Sequence, residues 1–337
     1  MRRIALVMAM AAAVGPMAAM AEGPYKVLNT AKVGGEGGYD YVYADSAARK
    51  LYIPRQGADG KFTVFNLDTL QPAGEIPGVG RGVAVSAGHG FGSSSPVAMW
   101  DETTLQPVKT IEVQGGPDGI FTDPYNGRVY VFSHRAPNAT VIDPKDGTVV
   151  GTIDLGGAPE QAASDGKGHV FVDLEDKGKI AVIDAKTMTR TGYYDLQGKG
   201  DGCAGLAIDV KHGLLFAACR EPQAMVVLNA KDGKIIDTLP IGKGTDGALF
   251  NPATGEVFSS EGGGTLTIIK EKSPKSFEVE QTLTTMPRAK TLTLDTKTNK
   301  LYLITAEFGP VPAAEPGQKP GRAPMVPGTF SILVVGK

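Results

Sequence analysis

Gly119-Ile120-Phe121-Thr122-Asp123, Pro124-Tyr125-Asn126-Gly127 and Val129-Tyr130-Val131-Phe132 give an apolar run, a four-residue turn and a second apolar run, without helical spacing. A loop at 134–138 follows, then Thr140-Val141-Ile142-Asp143, the turn Pro144-Lys145-Asp146-Gly147, and the run from Val149 to Leu155. These are four short strands punctuated by turn formers. The unit recurs along the chain. Its first strand ends at Asp45, Ser86, Asp123, Asp165, Asp209, Asn251 and Asp295, a period of about 42 residues. A second marker, at the end of the third strand, reads Asn66, Asp101, Asp143, Asp184, Asn229 and Lys270. Asx side chains suit both places because they hydrogen-bond the backbone two residues on.

A four-stranded sheet repeated at this length predicts an all-β fold, a seven-bladed β-propeller with antiparallel blades. Around Asp295 only three strands remain, near 292–294, 301–305 and 330–335, and residues 25–33 offer the missing outer one. Pairing the termini in the last blade would close the ring, so residues 22–337 are expected to form one propeller domain. Composition agrees. With 45 Gly and 23 Pro, about one residue in five is a turn former, against roughly one in eight on average. This excludes coiled coils and helical bundles, and the 42% hydrophobic content argues against disorder.

Residues 1–21 read as a cleavable signal peptide. Arg2 and Arg3 precede an apolar run over 4–14, and Ala19-Met20-Ala21 places cleavage near Ala21-Glu22. Gly15-Pro16 breaks the run well short of the ~20 residues a membrane span needs, so no transmembrane anchor is expected. The protein is thus expected in the periplasm or secreted, as a monomer. Of its 34 basic residues the mature chain keeps 32 against 36 acidic ones, which leaves no footprint for nucleic acid. A hairpin turning near 209–213, with Ile208 opposite Leu214, puts Cys203 opposite Cys219. In an exported protein this register predicts a disulfide, the alternative being two buried thiols.

Arg128-Val129-Tyr130-Val131, Thr140-Val141-Ile142-Asp143, the stretch from Gly147 to Ile153 and Asn299-Lys300-Leu301-Tyr302-Leu303 resemble the repeats of the YVTN-type (YncE-like) β-propeller family of bacterial exported proteins. The similarity spans essentially the whole mature chain, although the YVTN tetrapeptide itself is absent. The resemblance implies a seven-bladed, periplasmic or extracellular propeller in a family whose members mostly have no assigned reaction. Related propellers include lactonases and quinoprotein amine dehydrogenase subunits. Some YncE-like proteins are associated with single-stranded DNA, but a net acidic charge and a lone Trp argue against that here.

Five residues before each first-strand marker lies a position expected at the mouth of the central channel: Asp40, Arg81, Asp118, Glu160, Ala204, Asp246 and Lys290. His134 and Arg135 lie in a loop on the same face, as do Glu261 and the glycines after it. Such a rim suits a polar or cationic ligand, and Asp40, Asp118, Glu160 and Asp246 offer oxygen ligands to a divalent cation such as calcium. Alternatively the side chains only pair with one another and cap strand ends. Of Tyr39 and Tyr41, either one faces the channel or both pack between blades. An insertion at 307–328 carries six prolines and predicts a stiff, polyproline-like loop with little internal hydrogen bonding, serving as a lid, a partner contact or a plain linker.

Catalytic signatures are sparse. Gly-x-Ser-x-Gly does not occur, and Gly242-Lys243-Gly244-Thr245-Asp246-Gly247 leads into a strand, without the helix that holds a pyrophosphate. His89, His169 and His212 fall in turns of separate blades, away from the rim, and cannot meet to hold zinc; His134 alone is placed as a base. Trp100 is expected to pack between blades. Two functions remain: a binding or scaffold propeller holding a small ligand, peptide or periplasmic protein on the looped face, or a metal-assisted hydrolase of lactonase type using the rim carboxylates.

Overall fold

Second and third strands in the repeat are largely buried, and mostly apolar, because neighbouring blades cover both their faces. In the third blade Val129–Ser133 and Asn138–Ile142 are buried at every residue, whereas the outer strand of the fourth, Thr189–Asp195, alternates between exposed and half-buried. The computed structural model describes residues 23–57, 59–78, 80–312 and 321–337. The expected signal peptide and residues 313–320 of the insertion lie outside the described residues.

Seven four-stranded antiparallel sheets follow in chain order, at 43–77, 80–111, 117–154, 159–195, 201–240, 245–284 and 292–336, the last completed by Lys26–Lys32. The Asx markers work as their chemistry dictates. Asp143, Asp184, Asp209 and Asn229 each accept, through Oδ1, the backbone N–H two residues on, at 2.8–3.0 Å. Trp100 is fully buried, its ring 5.4 Å from Phe62 and 6.1 Å from Tyr52 of the first blade.

Closure follows the expected pairing. Lys26–Lys32 runs antiparallel to Ser331–Gly336, from Lys26 opposite Gly336 to Lys32 opposite Ser331. Both termini are also tied to the sixth blade through one carboxylate. Tyr25 donates its hydroxyl to Glu256 Oε2 at 2.5 Å, and Lys337 Nζ donates to Glu256 Oε1 at 2.7 Å. Glu256 is fully buried, and the Tyr25 ring meets Phe258 edge-on at 5.3 Å.

Cys203 and Cys219 face each other and form the disulfide. The route to that register differs from expectation. Ile208 pairs with Leu215 rather than Leu214, and a bulge between Cys203 and Gly205 absorbs the one-residue offset. The insertion differs too, since its stem is hydrogen-bonded and not polyproline-like. Gly309 N–H donates to the Pro324 carbonyl at 2.9 Å and Val326 N–H to that of Glu307 at 2.8 Å, with Phe308 opposite Met325. The prolines spare these donor positions, which is why the pairing survives. Phe308 and Met325 pack against the cluster containing Tyr39 and Phe330 at the seam of the seventh and first blades.

Candidate functional site at the channel rim

A bulge interrupts the first strand of five blades at the rim. The register shifts between Gly80 and Val83, Pro117 and Ile120, Pro159 and Ala162, Cys203 and Gly205, and Thr245 and Ala248. Arg81, Asp118, Glu160, Ala204 and Asp246 occupy these bulges, where a residue leaves the ladder and its side chain is re-aimed. Asp40 and Lys290 stand just before the corresponding strands, Tyr43–Asp45 and Leu292–Asp295.

The next residue is glycine in four of the seven blades: Gly82, Gly119, Gly205 and Gly247. A Cβ on Gly119 would fall 2.4 Å from the Glu160 carbonyl oxygen, so neighbouring backbones meet here in the absence of side chains. Two long side chains take the space so framed. Tyr41 reaches from the first blade to the fourth and donates to Glu160 Oε2 at 3.0 Å. Gln161 reaches back, donating to the Ala248 carbonyl and accepting from Leu206 and Ala248 N–H, all at 3.0 Å. Tyr41 and Gln161 thus link blades on the inner side of the rim. Both also line a cavity of about 240 Å³, together with Glu160, Phe121, Phe132 and Leu249.

The charged groups of the rim form a near-continuous circuit. Arg81 Nη1 lies 3.1 Å from both Asp40 Oδ2 and Asp118 Oδ2. Lys290 bonds Asp246 and approaches Asp40 Oδ1 at 3.9 Å. Arg220 Nη2 donates to Asp246 Oδ1 at 2.7 Å, and its Nη1 bonds Glu175. His134 Nε2 lies 3.2 Å from Glu160 Oε1 and 3.6 Å from Glu175 Oε2. Five carboxylates thus face Arg81, Arg220, Lys290 and one imidazole. Asp40 and Asp246 each touch two cations. Among the described residues Glu160 pairs with His134 alone, and Asp118 Oδ1 is buried without a donor.

The protonation preferences follow from this distribution. Burial pushes Asp40 up to about 7 against the pull of Lys290. Burial, then the charge of Glu160, pushes Asp118 up to about 6 despite Arg81. His134 is raised above its ordinary value, chiefly by its hydrogen bond to Glu160 and against the opposing effect of burial. Burial lowers Lys290, but Asp246 and Asp40 more than reverse this, keeping it charged.

The four carboxylates proposed as cation ligands thus divide. Asp118 and Glu160 come together with His134, one ligand atom from each lying within 4.8 Å of the others. Asp40 and Asp246 are engaged with Arg81, Lys290 and Arg220. A hollow of about 570 Å³ opens beside the first group, bounded by Gln56, Arg81, Ser93–Ser95, Gly115–Asp118, His134, Arg135 and Glu160. Arg135 is exposed, its stem lying 3.7 Å from the Cβ position of Gly116. Of the two tyrosines, Tyr41 faces the axis, while Tyr39 packs on Phe330 and donates to the Arg288 carbonyl.

Glu175 and Arg220 escaped the sequence reading. They lie at the ends of second strands, Glu175 just after Leu174 and Arg220 just before Glu221, ten and eleven residues after the markers Asp165 and Asp209, close to the eleven by which His134 follows Asp123. That near-constant offset was the available signal.

No family model and no curated protein sequence matches the chain. Solved structures do. A chain of the "Crystal Structure of Mitotic Checkpoint Complex" is similar with a TM-score of 0.72 at 12% identity, covering 90% of this chain and 95% of that one. The RRP9 WD40 repeats match with a TM-score of 0.73 at 10% identity, covering 94% and 99%. U3-55K matches at 0.70 and 11%, covering 95% and 99%. At these identities the likeness is one of fold: a seven-bladed β-propeller.

Proposed function

We propose that the protein is an exported binding propeller whose rim hollow, over the second to fourth blades, takes a cationic group of a small ligand or of a protein partner. The observation that carries this reading is the unequal neutralisation of the rim. Asp40 and Asp246 each meet two of the Arg and Lys cations, whereas among the described residues Glu160 has only the His134 imidazole and the neutral Tyr41 hydroxyl, and Asp118 Oδ1 has no donor, beside an open hollow. An amine placed there gains charge-assisted hydrogen bonds that the chain itself leaves unmade. Export rests on the sequence of residues 1–21 and accords with the disulfide; the tie to YVTN-type proteins rests on the repeat motifs. Among the described residues no helix is long and apolar enough to cross a membrane.

The test is thermal shift with a panel of primary amines and lysine-containing peptides, on the parent and on Glu160→Gln. A saturable rise in melting temperature that the variant loses supports the reading. A panel that leaves the parent unmoved overturns it. A second reading, metal-assisted ester or lactone hydrolysis, draws on the Asp118–His134–Glu160 grouping. It predicts a chelator-sensitive shift with calcium and metal-dependent turnover of a lactone, both lost in Asp118→Asn.

A further inference from the structure

On the opposite face of the ring, the turn after the first strand of the fifth blade carries Asp209 and His212, and the third strand of the sixth brings Glu271 against them. His212 Nδ1 lies 2.6 Å from Asp209 Oδ2 and 2.6 Å from Glu271 Oε1. One ring nitrogen carries one proton, so it serves one of these oxygens and leaves the other bare. Asp209 Oδ1 is already taken by Lys211 N–H, which turns Oδ2 toward the imidazole. Asp209 is 3% exposed and Glu271 9%, and Asp209 Oδ2 and Glu271 Oε2 are buried without a hydrogen-bond donor.

The other blades show how unusual this corner is. The residue following the third-strand marker is Leu67, Pro144, Ala185 or Ala230 in four of them, but Glu271 here. A second acidic case, Glu102, has the Lys50 ammonium bonded to its own carbonyl. Asp295, at the first-strand marker of the last blade, is met by the Arg49 guanidinium at 2.8 Å. Among the described residues no Lys or Arg pairs with Asp209 or Glu271, so two buried carboxylates share one imidazole. Burying such a pair is costly unless a cation joins it.

We propose that Asp209, His212 and Glu271 bind a divalent transition-metal ion of the zinc class, bridging the fifth and sixth blades. One nitrogen and two carboxylate oxygens are a donor set that suits zinc, and an imidazole ligand disfavours calcium and magnesium. Zinc bonds of about 2.0–2.2 Å require the donors to spread by under about 1 Å from their present contacts. His212, with a side chain 32% exposed, leaves the fourth position open to water.

The test is zinc titration of the chelator-stripped full chain by calorimetry, with cobalt absorption as a ligand signature, on the parent, His212→Asn, Glu271→Gln and the rim variant His134→Asn. Circular dichroism melting establishes that each variant is folded; His212, on a partly exposed turn, is the substitution least able to disturb the core. The proposal predicts a saturable zinc ion in the parent, weakened at least about 100-fold in His212→Asn and Glu271→Gln and retained in His134→Asn. Absence of saturable zinc up to about 1 mM overturns it. So does binding that survives both His212→Asn and Glu271→Gln, or that only His134→Asn removes; neither result touches the amine reading of the rim.

Discussion

Substituting Tyr25 with alanine should open the closure of the ring. Tyr25 is 2% exposed, stacks edge-on with Phe258 and belongs to the cluster of Leu301, Leu303, Leu333 and Val335. Truncating a buried aromatic of this kind costs about 3–5 kcal/mol. An unfolding entropy of about 2.1 cal/mol/K per residue over roughly 310 residues gives about 0.65 kcal/mol/K, so a loss of ~4 kcal/mol lowers the melting temperature by about 6 °C. Tyr25→Phe separates the ring from its hydroxyl. It keeps the apolar contact but strips Glu256 Oε2 of a donor, a loss of roughly 1–3 kcal/mol. Calorimetric melting of the chain lacking residues 1–21 reads both. Glu256 itself is held below its usual value: burial would raise it, but donors from Lys337 and Tyr25 win. Its contribution is therefore present at neutral pH and lost as pH falls through the carboxylate range, where the cost of Tyr25→Phe should shrink. A Tyr25→Ala chain melting within about 1 °C of the parent would refute the idea that the first strand seals the last blade.

Two further outcomes follow from the rim. Gly119→Ala forces a Cβ against the Glu160 carbonyl and should destabilise by about 1–3 kcal/mol, read by urea unfolding; a neutral result would mean that the blades do not meet there. Asp118, raised to about 6, binds its proton more tightly when folded, so its share of stability is full below the unfolded value and is lost as pH rises through about 6. Asp118→Asn should accordingly flatten the fall in melting temperature between about pH 4 and 7, and an unchanged slope would count against a buried, Glu160-opposed carboxylate.

The fold was legible because its signals are local. An Asx residue that bonds the backbone two positions on marks a turn whatever surrounds it, so Asp143, Asp184 and Asn229 reported the repeat directly, and counting strands after Asp295 exposed the gap that Lys26–Lys32 fills. The site was legible only in outline. A fixed offset placed Asp40, Arg81, Asp118, Glu160, Asp246 and Lys290 on one rim, but partner choice depends on contacts between blades, which sequence separation hides. Arg220 belongs to the fifth blade and bonds acids of the fourth and sixth. Tyr41 and Glu160 meet across the axis, 119 residues apart. The same reason concealed the junction of His212 with Glu271, because a search for histidines meeting one another overlooks a neighbouring blade's carboxylate. The stem of the insertion was misread because counting prolines ignores which positions must donate.

The central claim is that uncompensated negative charge gathers around His134. Titrating the four imidazoles by NMR in the parent and in Glu160→Gln addresses it directly. The account predicts that His134 titrates above the ordinary histidine value of about 6.5 and falls in the variant. A His134 that titrates at or below that value in the parent, and is indifferent to the loss of Glu160, would contradict it.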